Sequence, residues 1–229
     1  MAVAPLIHIV CSDRHRNGKT LLARVLIDYL LLDGRDPFVI DADHPEGPLR
    51  AYFPGRTALV DFDHMPGRMK LFDTILASPG RDYVIDLPAV QWQNFFEAMA
   101  ELHFMEEARK GGSRFVVLFL VDRDEESLKN ADAVARQAKP DLMAYVRNEQ
   151  LGSALEETQR RFVITMPAID AVLREIIANR RFSLRSFLLG EEEQVPVALR
   201  SKLKRFLYDM LTAFRDIEPA MSVVVRLKG

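Results

Sequence analysis

The sequence predicts an α/β fold in which a mostly parallel β-sheet carries helices on both faces. Short apolar segments, typical of buried strands, alternate along the chain with longer segments of helical periodicity. Acidic or amide residues lie within three positions after most of the strand-like segments. The chain has 229 residues, of which 48% are hydrophobic, so it can bury one large core. Helices that connect parallel strands cover both faces of the sheet, and the predicted architecture therefore has three layers.

The strand-like segments are short and apolar, and turn residues separate them from the helices. In chain order they are 6–10, 38–40, 57–61, 83–85, 115–121, 142–146 and 162–165. The run 115–121 is the most continuous of them and is predicted to be a central strand, whereas 57–61 is predicted to be a short edge strand.

Helices are predicted wherever apolar residues recur with a period of three to four. They cover 21–32, 69–76, about 90–109, 125–137, about 168–179 and about 196–214. Three consecutive valines at 223–225 are typical of a further strand or a docking tail. We expect a single domain over 1–229, with a C-terminal helix and tail at about 196–229.

A phosphate-binding loop is predicted between the first strand and the first helix. The segment 13–20 matches the pattern Gly-x-x-x-x-Gly-Lys-Ser/Thr at every specified position except the first. Gly18 would let the backbone approach phosphate oxygens, Lys19 would reach the β- and γ-phosphates, and the Thr20 hydroxyl would bind Mg²⁺. The alternative, a plain helix start with a surface threonine, is less favoured because the motif lies between a buried strand and a helix. The segment thus predicts a three-layer P-loop NTPase fold, and the candidate nucleotide-binding residues are Asp13, Arg14, His15, Arg16, Asn17, Gly18, Lys19, Thr20 and Leu21.

Carboxylates that follow neighbouring strands could complete a magnesium–nucleotide site. Asp86 ends the apolar run 83–85 and is the best candidate for holding the ion together with Thr20. Asp41 and Asp43 follow the second strand at a spacing of two, which puts both side chains on one face. We interpret Asp41 as a further candidate metal ligand and Asp43 as a candidate for orienting an attacking water. Each aspartate could instead be an ordinary turn or capping residue.

These motifs together resemble the ParA/MinD group of P-loop ATPases, including the TraL-like proteins of plasmid conjugation. The resemblance covers roughly residues 5–190 and rests on five segments in order: 14–20, 41–45, 83–88, 145–148 and 163–167. It implies ATP and Mg²⁺ as cofactors, with Asn148 at the position that reads adenine. It also implies a homodimer that encloses two ATP molecules, in which a signature lysine reaches the partner's phosphates.

The loop also departs from the group. Arg14 stands where the signature lysine is expected, and the resemblance therefore implies a catalytic set of Lys19, Asp43 and Arg14. His15 and Arg16 stand where the group has two glycines, so either the loop takes another path or Arg16 itself binds phosphate. Three functions stay open: an ATPase switch that positions DNA or protein complexes or mobilises plasmids, a hydrolysis-deficient nucleotide-binding scaffold, and a P-loop small-molecule kinase.

Composition restricts the setting and the partners. The single cysteine excludes a disulfide framework, and no secretory signal or membrane span is recognisable, so a cytoplasmic protein is expected. The histidines lack the spacing of a zinc site, and no Gly-x-Ser-x-Gly elbow is present. A net charge of −2 does not indicate a general nucleic-acid binder.

The resemblance implies ATP, ADP and a second subunit as partners, and two basic segments could bind further partners. The amphipathic helix from about 196 could pack on the sheet, which we favour, or contact a membrane. The arginines at 180, 181 and 185 are interpreted as a solvated face, with non-specific DNA binding as the alternative. A protein that binds this chain is a further predicted partner.

Overall fold

A computed structural model describes residues 4–155, 162–179, 182–192 and 195–227, with only the helical backbone over 219–227. Its centre is a seven-stranded sheet in which every neighbouring pair is parallel, in the order β3-β2-β4-β1-β5-β6-β7. The predicted strands are all present, and β3 lies at an edge as expected. Their bounds are β1 (Leu6–Cys11), β2 (Phe38–Asp41), β3 (Thr57–Leu59), β4 (Tyr83–Asp86), β5 (Arg114–Val121), β6 (Leu142–Asn148) and β7 (Val163–Met166).

The helices agree with the predictions except in three places. Their bounds are α1 (Lys19–Leu32), α2 (Pro48–Tyr52), α3 (Met65–Leu76), α4 (Trp92–Glu101), α5 (Phe104–Lys110), α6 (Glu125–Ala138), α7 (Ala171–Ala178), α8 (Leu184–Leu188) and α9 (Val197–Leu227). The helix predicted over 90–109 is two helices, because His103 has a left-handed φ of 49° that a continuous helix cannot contain. The short helices α2 and α8 were not predicted.

The strand predicted at 223–225 is wrong, because these residues continue α9, while the alternative of a docking tail stays a prediction. Extending an existing helix costs much less than starting a new element, and this gain outweighs the weak strand preference of three valines. Among the described residues, no helix combines the length and the apolar character that a membrane span requires.

Alternate side chains of the strands pack in two hydrophobic cores, one on each face of the sheet. In β5, Val116 and Leu118 face the core formed with α1, α7, α8 and α9, whereas Val117 and Phe119 face the core formed with α3 to α6. This division confirms the three-layer prediction. It also explains the continuous apolar runs, because strands covered on both faces need no polar side.

The C-terminal helix packs on the protein over its described side chains. Its buried residues face α1 and β7 and include Leu203, Phe206, Leu207, Met210 and Phe214. The favoured interpretation of this helix, packing on the sheet, is confirmed. Of the other predicted basic segment, Arg180 and Arg181 lie outside the described residues.

The topology brings the predicted site together. Because all strands run parallel, the loops after β1, β2, β4 and β6 emerge at the same edge. The central strand β1 lies between β4 and β5, so the loop after it begins where the chain's direction of progress across the sheet reverses. Such a switch point is where open parallel sheets bind ligands.

Candidate functional site

Gly18 fixes the junction between the phosphate loop and α1. It caps the helix with a left-handed φ of 101°, and its carbonyl accepts the first helical hydrogen bond, from the Leu22 N–H at 3.0 Å. A Cβ at this position would lie 2.6 Å from Met166 Cε and 2.9 Å from Asn148 Nδ2. Both the conformation and the close neighbours therefore require glycine.

His15 and Arg16 form the exposed outer turn of the loop. Arg16 has a φ of 55°, the left-handed conformation that glycine adopts without strain. The backbone thus makes a glycine-type turn here, at a cost of about 1–2 kcal/mol for a residue with a Cβ. Neither side chain has a hydrogen bond or ion pair within the described ranges, so both are available to a ligand.

Polar side chains on the inner side of the loop are buried and hydrogen-bonded. Asn17 Nδ2 donates to Ser12 Oγ at the end of β1. Lys19 Nζ donates to the Arg14 carbonyl at 2.8 Å and contacts Asn17 Oδ1 at 3.5 Å. Burial lowers the pKa of Lys19, while the nearby Asp86 carboxylate opposes that shift. The ammonium is consequently held beneath the loop rather than in bulk water.

This inner side faces a cavity of about 600 Å³. The cavity is lined by residues 15–21 together with Asp43, Pro88 and Ala89. The predicted phosphate-loop residues from His15 onward therefore share one cavity with the carboxylate that follows β2. A larger groove of about 1230 Å³ runs along β7 and α9 and contains none of the predicted site residues.

Thr20 and Asp86 meet at the floor of this region, as the sequence predicted. Thr20 Oγ1 donates to Asp86 Oδ2 at 3.0 Å, and the other oxygen, Oδ1, is buried with no hydrogen-bond partner among the described residues. Burial and the neighbouring Asp41 charge raise the pKa of Asp86 to about 7. An orphaned carboxylate oxygen beside a hydroxyl fits the oxygen donors that Mg²⁺ prefers.

A divalent cation at this point would draw most of its ligands from outside the protein. Within the described part of the chain, no three His, Cys, Asp or Glu side chains are arranged to hold a metal ion. Mg²⁺ typically keeps several waters and binds one or two protein groups plus substrate phosphates. Thr20 and Asp86 match that mode of binding.

The two aspartates after β2 have different surroundings. Asp41 is fully buried, and its carboxylate accepts the N–H groups of Asp43 at 3.1 Å and Leu49 at 2.8 Å. Burial raises the pKa of Asp41 to about 6. Its oxygens thus hold the turn that leads into α2, while Asp43 borders the 600 Å³ cavity. The metal-ligand role of Asp41 and the water-orienting role of Asp43 stay predictions.

The first two predicted loop residues face α6 rather than the cavity. The Asp13 carboxylate accepts hydrogen bonds from Ser127 Oγ at 2.6 Å and Asn130 Nδ2 at 3.0 Å. The Arg14 guanidinium donates to Asp124 at 2.7 Å. The sequence carried no signal for these α6 partners, because they lie more than a hundred residues away.

Asn148 lies against the phosphate loop. Its Nδ2 donates to the Asn17 carbonyl at 2.9 Å, and its Oδ1 accepts the Gln150 N–H at 3.0 Å. It also lines a second cavity, of about 150 Å³, that adjoins the first through Arg16, Gly18 and Leu21. The structure therefore brings Asn148 to the predicted site and gives it a second task, which is to support the loop backbone.

A phosphate loop between the central strand and α1, with a threonine–aspartate pair beneath it, defines the class of P-loop NTPase folds. Comparison with solved structures shows which P-loop proteins have a similar fold. MinD from Pyrococcus horikoshii, solved with Mg-ADP, has a TM-score of 0.57 at 14% identity, covering 90% of this chain and 94% of that one. MinD from Aquifex aeolicus has a TM-score of 0.54 at 17% identity, covering 93% and 98%. A nucleotide-binding protein from Archaeoglobus fulgidus, solved with ADP, has a TM-score of 0.53 at 14% identity, covering 78% and 87%.

These similarities show that the chain has a MinD-like P-loop fold, as the sequence predicted. No protein-family model matches the chain, and no curated protein matches its sequence. The finer resemblance to TraL-like proteins stays a prediction.

Proposed function

We propose that this protein binds ATP and ADP with Mg²⁺ at the loop 13–21 and acts as a nucleotide-dependent switch. The observation that carries the proposal is the contact between Thr20 and Asp86, which leaves one buried Asp86 oxygen without a partner directly beneath the phosphate loop. A buried carboxylate with an unmet oxygen is costly unless a ligand satisfies it. A magnesium–nucleotide complex supplies both the charge and the missing partner.

The start of α1, Lys19 and Thr20 would hold the nucleotide together with Asp86 and Asp43. The N–H groups at the start of α1 face the phosphates, and the helix terminus adds partial positive charge. Lys19 is beneath the loop, where it would exchange the Arg14 carbonyl for phosphate oxygens. Thr20 and Asp86 would hold Mg²⁺, which when bound neutralises phosphate charge. Asp43, on the cavity wall, would orient water toward the terminal phosphate.

The ligand class is supported by the structures that share this fold. The Pyrococcus protein was solved with Mg-ADP and the Archaeoglobus protein with ADP. One Aquifex structure is a complex of MinD with MinC. We extend the nucleotide to this chain because its own loop provides the matching groups, and we propose a protein partner by the same analogy.

The switch would act through a second subunit. Arg14 precedes the cavity-lining residues 15–21 and is paired with Asp124, with 41% and 55% of the two side chains exposed. A partner's phosphates could compete for this guanidinium, because an exposed ion pair is weak. The nucleotide-dependent homodimer, the trans role of Arg14 and a task in positioning DNA or protein complexes belong to this proposal. So does a cytoplasmic location.

A hydrolysis-deficient scaffold is the second candidate, and the outer turn favours it. Two side chains project where the ParA/MinD group has glycines, and Arg16 occupies a strained conformation. Such side chains could keep a second subunit away from the phosphates. The fold and the magnesium pair would then support binding without turnover.

The test measures ATP and ADP binding by calorimetry with and without Mg²⁺, together with turnover and molecular mass by light scattering. We expect binding to weaken when Mg²⁺ is removed, and to weaken by about 3 kcal/mol, or roughly a hundredfold, in Lys19→Ala. Lys204→Ala on the exposed face of α9 is the matched control and should bind as the wild type does. Absence of binding to the wild-type protein would contradict the proposal.

The remaining outcomes separate the candidate functions. ATP-dependent dimerisation with turnover supports the switch. ATP binding without turnover supports the scaffold. Turnover that requires a second small substrate supports a kinase instead.

A further inference from the structure

The second cavity, of about 150 Å³, is lined by two arginines and by no carboxylate. Arg16 borders it where it meets the phosphate-loop cavity, and Arg174 on α7 borders it as well. Its other walls include the apolar side chains of Leu151, Met166 and Ile169. An apolar cavity of this volume holds about one aromatic ring. The shape therefore suits a nucleobase, whereas the charge exceeds what a neutral base needs.

Neither arginine has a counter-ion in the described part of the chain. No hydrogen bond or ion pair joins the Arg16 or Arg174 side chain to any residue of the ranges that the structure describes. By contrast, the neighbouring Arg14 is bound to Asp124 and the buried Arg24 donates to the Ile177 carbonyl. Two unpaired cations at one small cavity favour an anionic ligand.

The backbone at Arg16 supplies a second observation. Its left-handed conformation would be free of strain in glycine, so the side chain is held there at an energetic cost. Strained residues of this kind concentrate at functional sites. The side chain projects at the junction of the two cavities, which is where the sugar of a nucleotide would lie if its phosphates occupied the loop.

We propose that Arg16 and Arg174 form a second anion subsite, which binds a phosphate carried on the ribose of the nucleotide. This inference rests on the proposed nucleotide-binding function and narrows its ligand class to nucleotides with a 2′- or 3′-phosphate in addition to the 5′ chain. Guanidinium groups bind phosphate through paired N–H donors, and arginine accommodates ribose phosphates in other nucleotide sites. Arg16 would act on the loop side and Arg174 on the opposite wall.

The test compares dissociation constants, measured by calorimetry, for ADP and for adenosine 2′-phosphate 5′-diphosphate and its 3′ isomer. We expect the wild-type protein to bind one of the two isomers about tenfold more tightly than ADP, as a charge-assisted contact predicts. Arg174→Gln should abolish this preference and leave ADP binding within about threefold. Arg215→Gln, which removes an exposed arginine of α9 that borders neither cavity, should keep the preference.

The outcomes distinguish this inference from the function on which it rests. If the wild-type protein binds no nucleotide, the proposed function fails and the subsite fails with it. If it binds ADP but prefers neither isomer, the subsite alone is overturned. Arg174→Lys decides the chemistry: a retained preference supports phosphate binding by charge. An equal loss of affinity for all three ligands would mean that the guanidinium stacks on the base, which overturns the inference. Thermal melts confirm that the exposed variants fold.

Discussion

The two halves of the phosphate loop differ in how they are held. The inner half, 17–20, is anchored to three strands: Asn17 to Ser12 after β1, Thr20 to Asp86 of β4, and the Asn17 carbonyl to Asn148 of β6. The outer half, 13–16, is tied to α6 through Asp13 and Arg14 and ends in the exposed His15 and Arg16. The inner half matches the phosphate-loop pattern, and the outer half departs from it.

The difference teaches that the two glycines of the ParA/MinD group are replaced at positions 15 and 16, where the side chains are exposed, whereas the buried, hydrogen-bonded side chains of the inner half belong to the part that matches the pattern. Replacing a buried, hydrogen-bonded group leaves its partner without a hydrogen bond, which costs about 1–3 kcal/mol of folding free energy. Replacing an exposed glycine costs only the backbone strain at one residue. The inner half would then determine whether nucleotide binds, and the outer half would determine which nucleotide binds and whether it is hydrolysed.

The largest expected effect is at the floor of the inner half, in Asp86→Asn. The pKa of the folded Asp86 is raised to about 7, above the value of about 3.9 in an unfolded chain. The folded state thus binds more protons between pH 4 and 7, and the wild-type protein loses stability as pH rises through that window. Urea unfolding should show the variant more stable by roughly 2–4 kcal/mol at pH 8 and equal near pH 4.

Other buried carboxylates also contribute to the pH dependence of stability. Asp28 and Asp41 also have raised pKa values, of about 7 and about 6, so part of the slope persists in Asp86→Asn. The variant should also lose the Mg²⁺ dependence of nucleotide binding. Identical pH profiles for the two proteins would contradict the assignment of the buried charge to Asp86.

Gly18→Ala should break the junction of the inner half with α1. A Cβ would meet Met166 and Asn148 at distances below 3 Å, in a left-handed conformation. We expect a loss of about 1–3 kcal/mol in unfolding free energy and a weaker nucleotide affinity. Gly34→Ala also has a positive φ but no neighbour within 4 Å, so it separates strain from collision. An equal loss in both variants would mean that the collision contributes nothing.

Arg16→Gly tests the outer half and, unlike Gly18→Ala, is expected to increase stability. Glycine relieves the left-handed strain, so the variant should be more stable by about 1 kcal/mol in urea. Lys139→Gly relieves a similar φ of 46° after α6 and should give a comparable gain without changing nucleotide affinity. A destabilised Arg16→Gly would show that the side chain supports the loop instead of straining it.

The smallest effect on folding is expected for Arg14→Ala. Its ion pair with Asp124 is largely exposed and contributes at most about 1 kcal/mol. Lys129→Ala, which removes another exposed pair on α6, should change stability equally little. Nucleotide affinity should be unchanged, while ATP-dependent dimerisation or turnover falls if Arg14 acts on a partner's phosphates. Unchanged dimerisation and turnover would contradict the trans role.

Much of the site followed from local sequence signals. Gly18, Lys19 and Thr20 were predicted because a strand, a short motif and a helix are consecutive in the chain, and Asp86 because it ends a buried run. The turn between α4 and α5 and the helical path of residues 223–225 were missed, because a single left-handed residue and the extension of a helix leave weak traces in composition.

The sequence by itself determined the three-layer fold and the identity of the phosphate loop, because both depend on periodicity and on contiguous residues. Tertiary structure alone decided which side chains meet across more than a hundred residues. It turned Asp13 toward α6, placed Asn148 under the loop and set Arg16 and Arg174 around one cavity. Such pairings depend on the order and register of strands, and no local pattern in the chain encodes these.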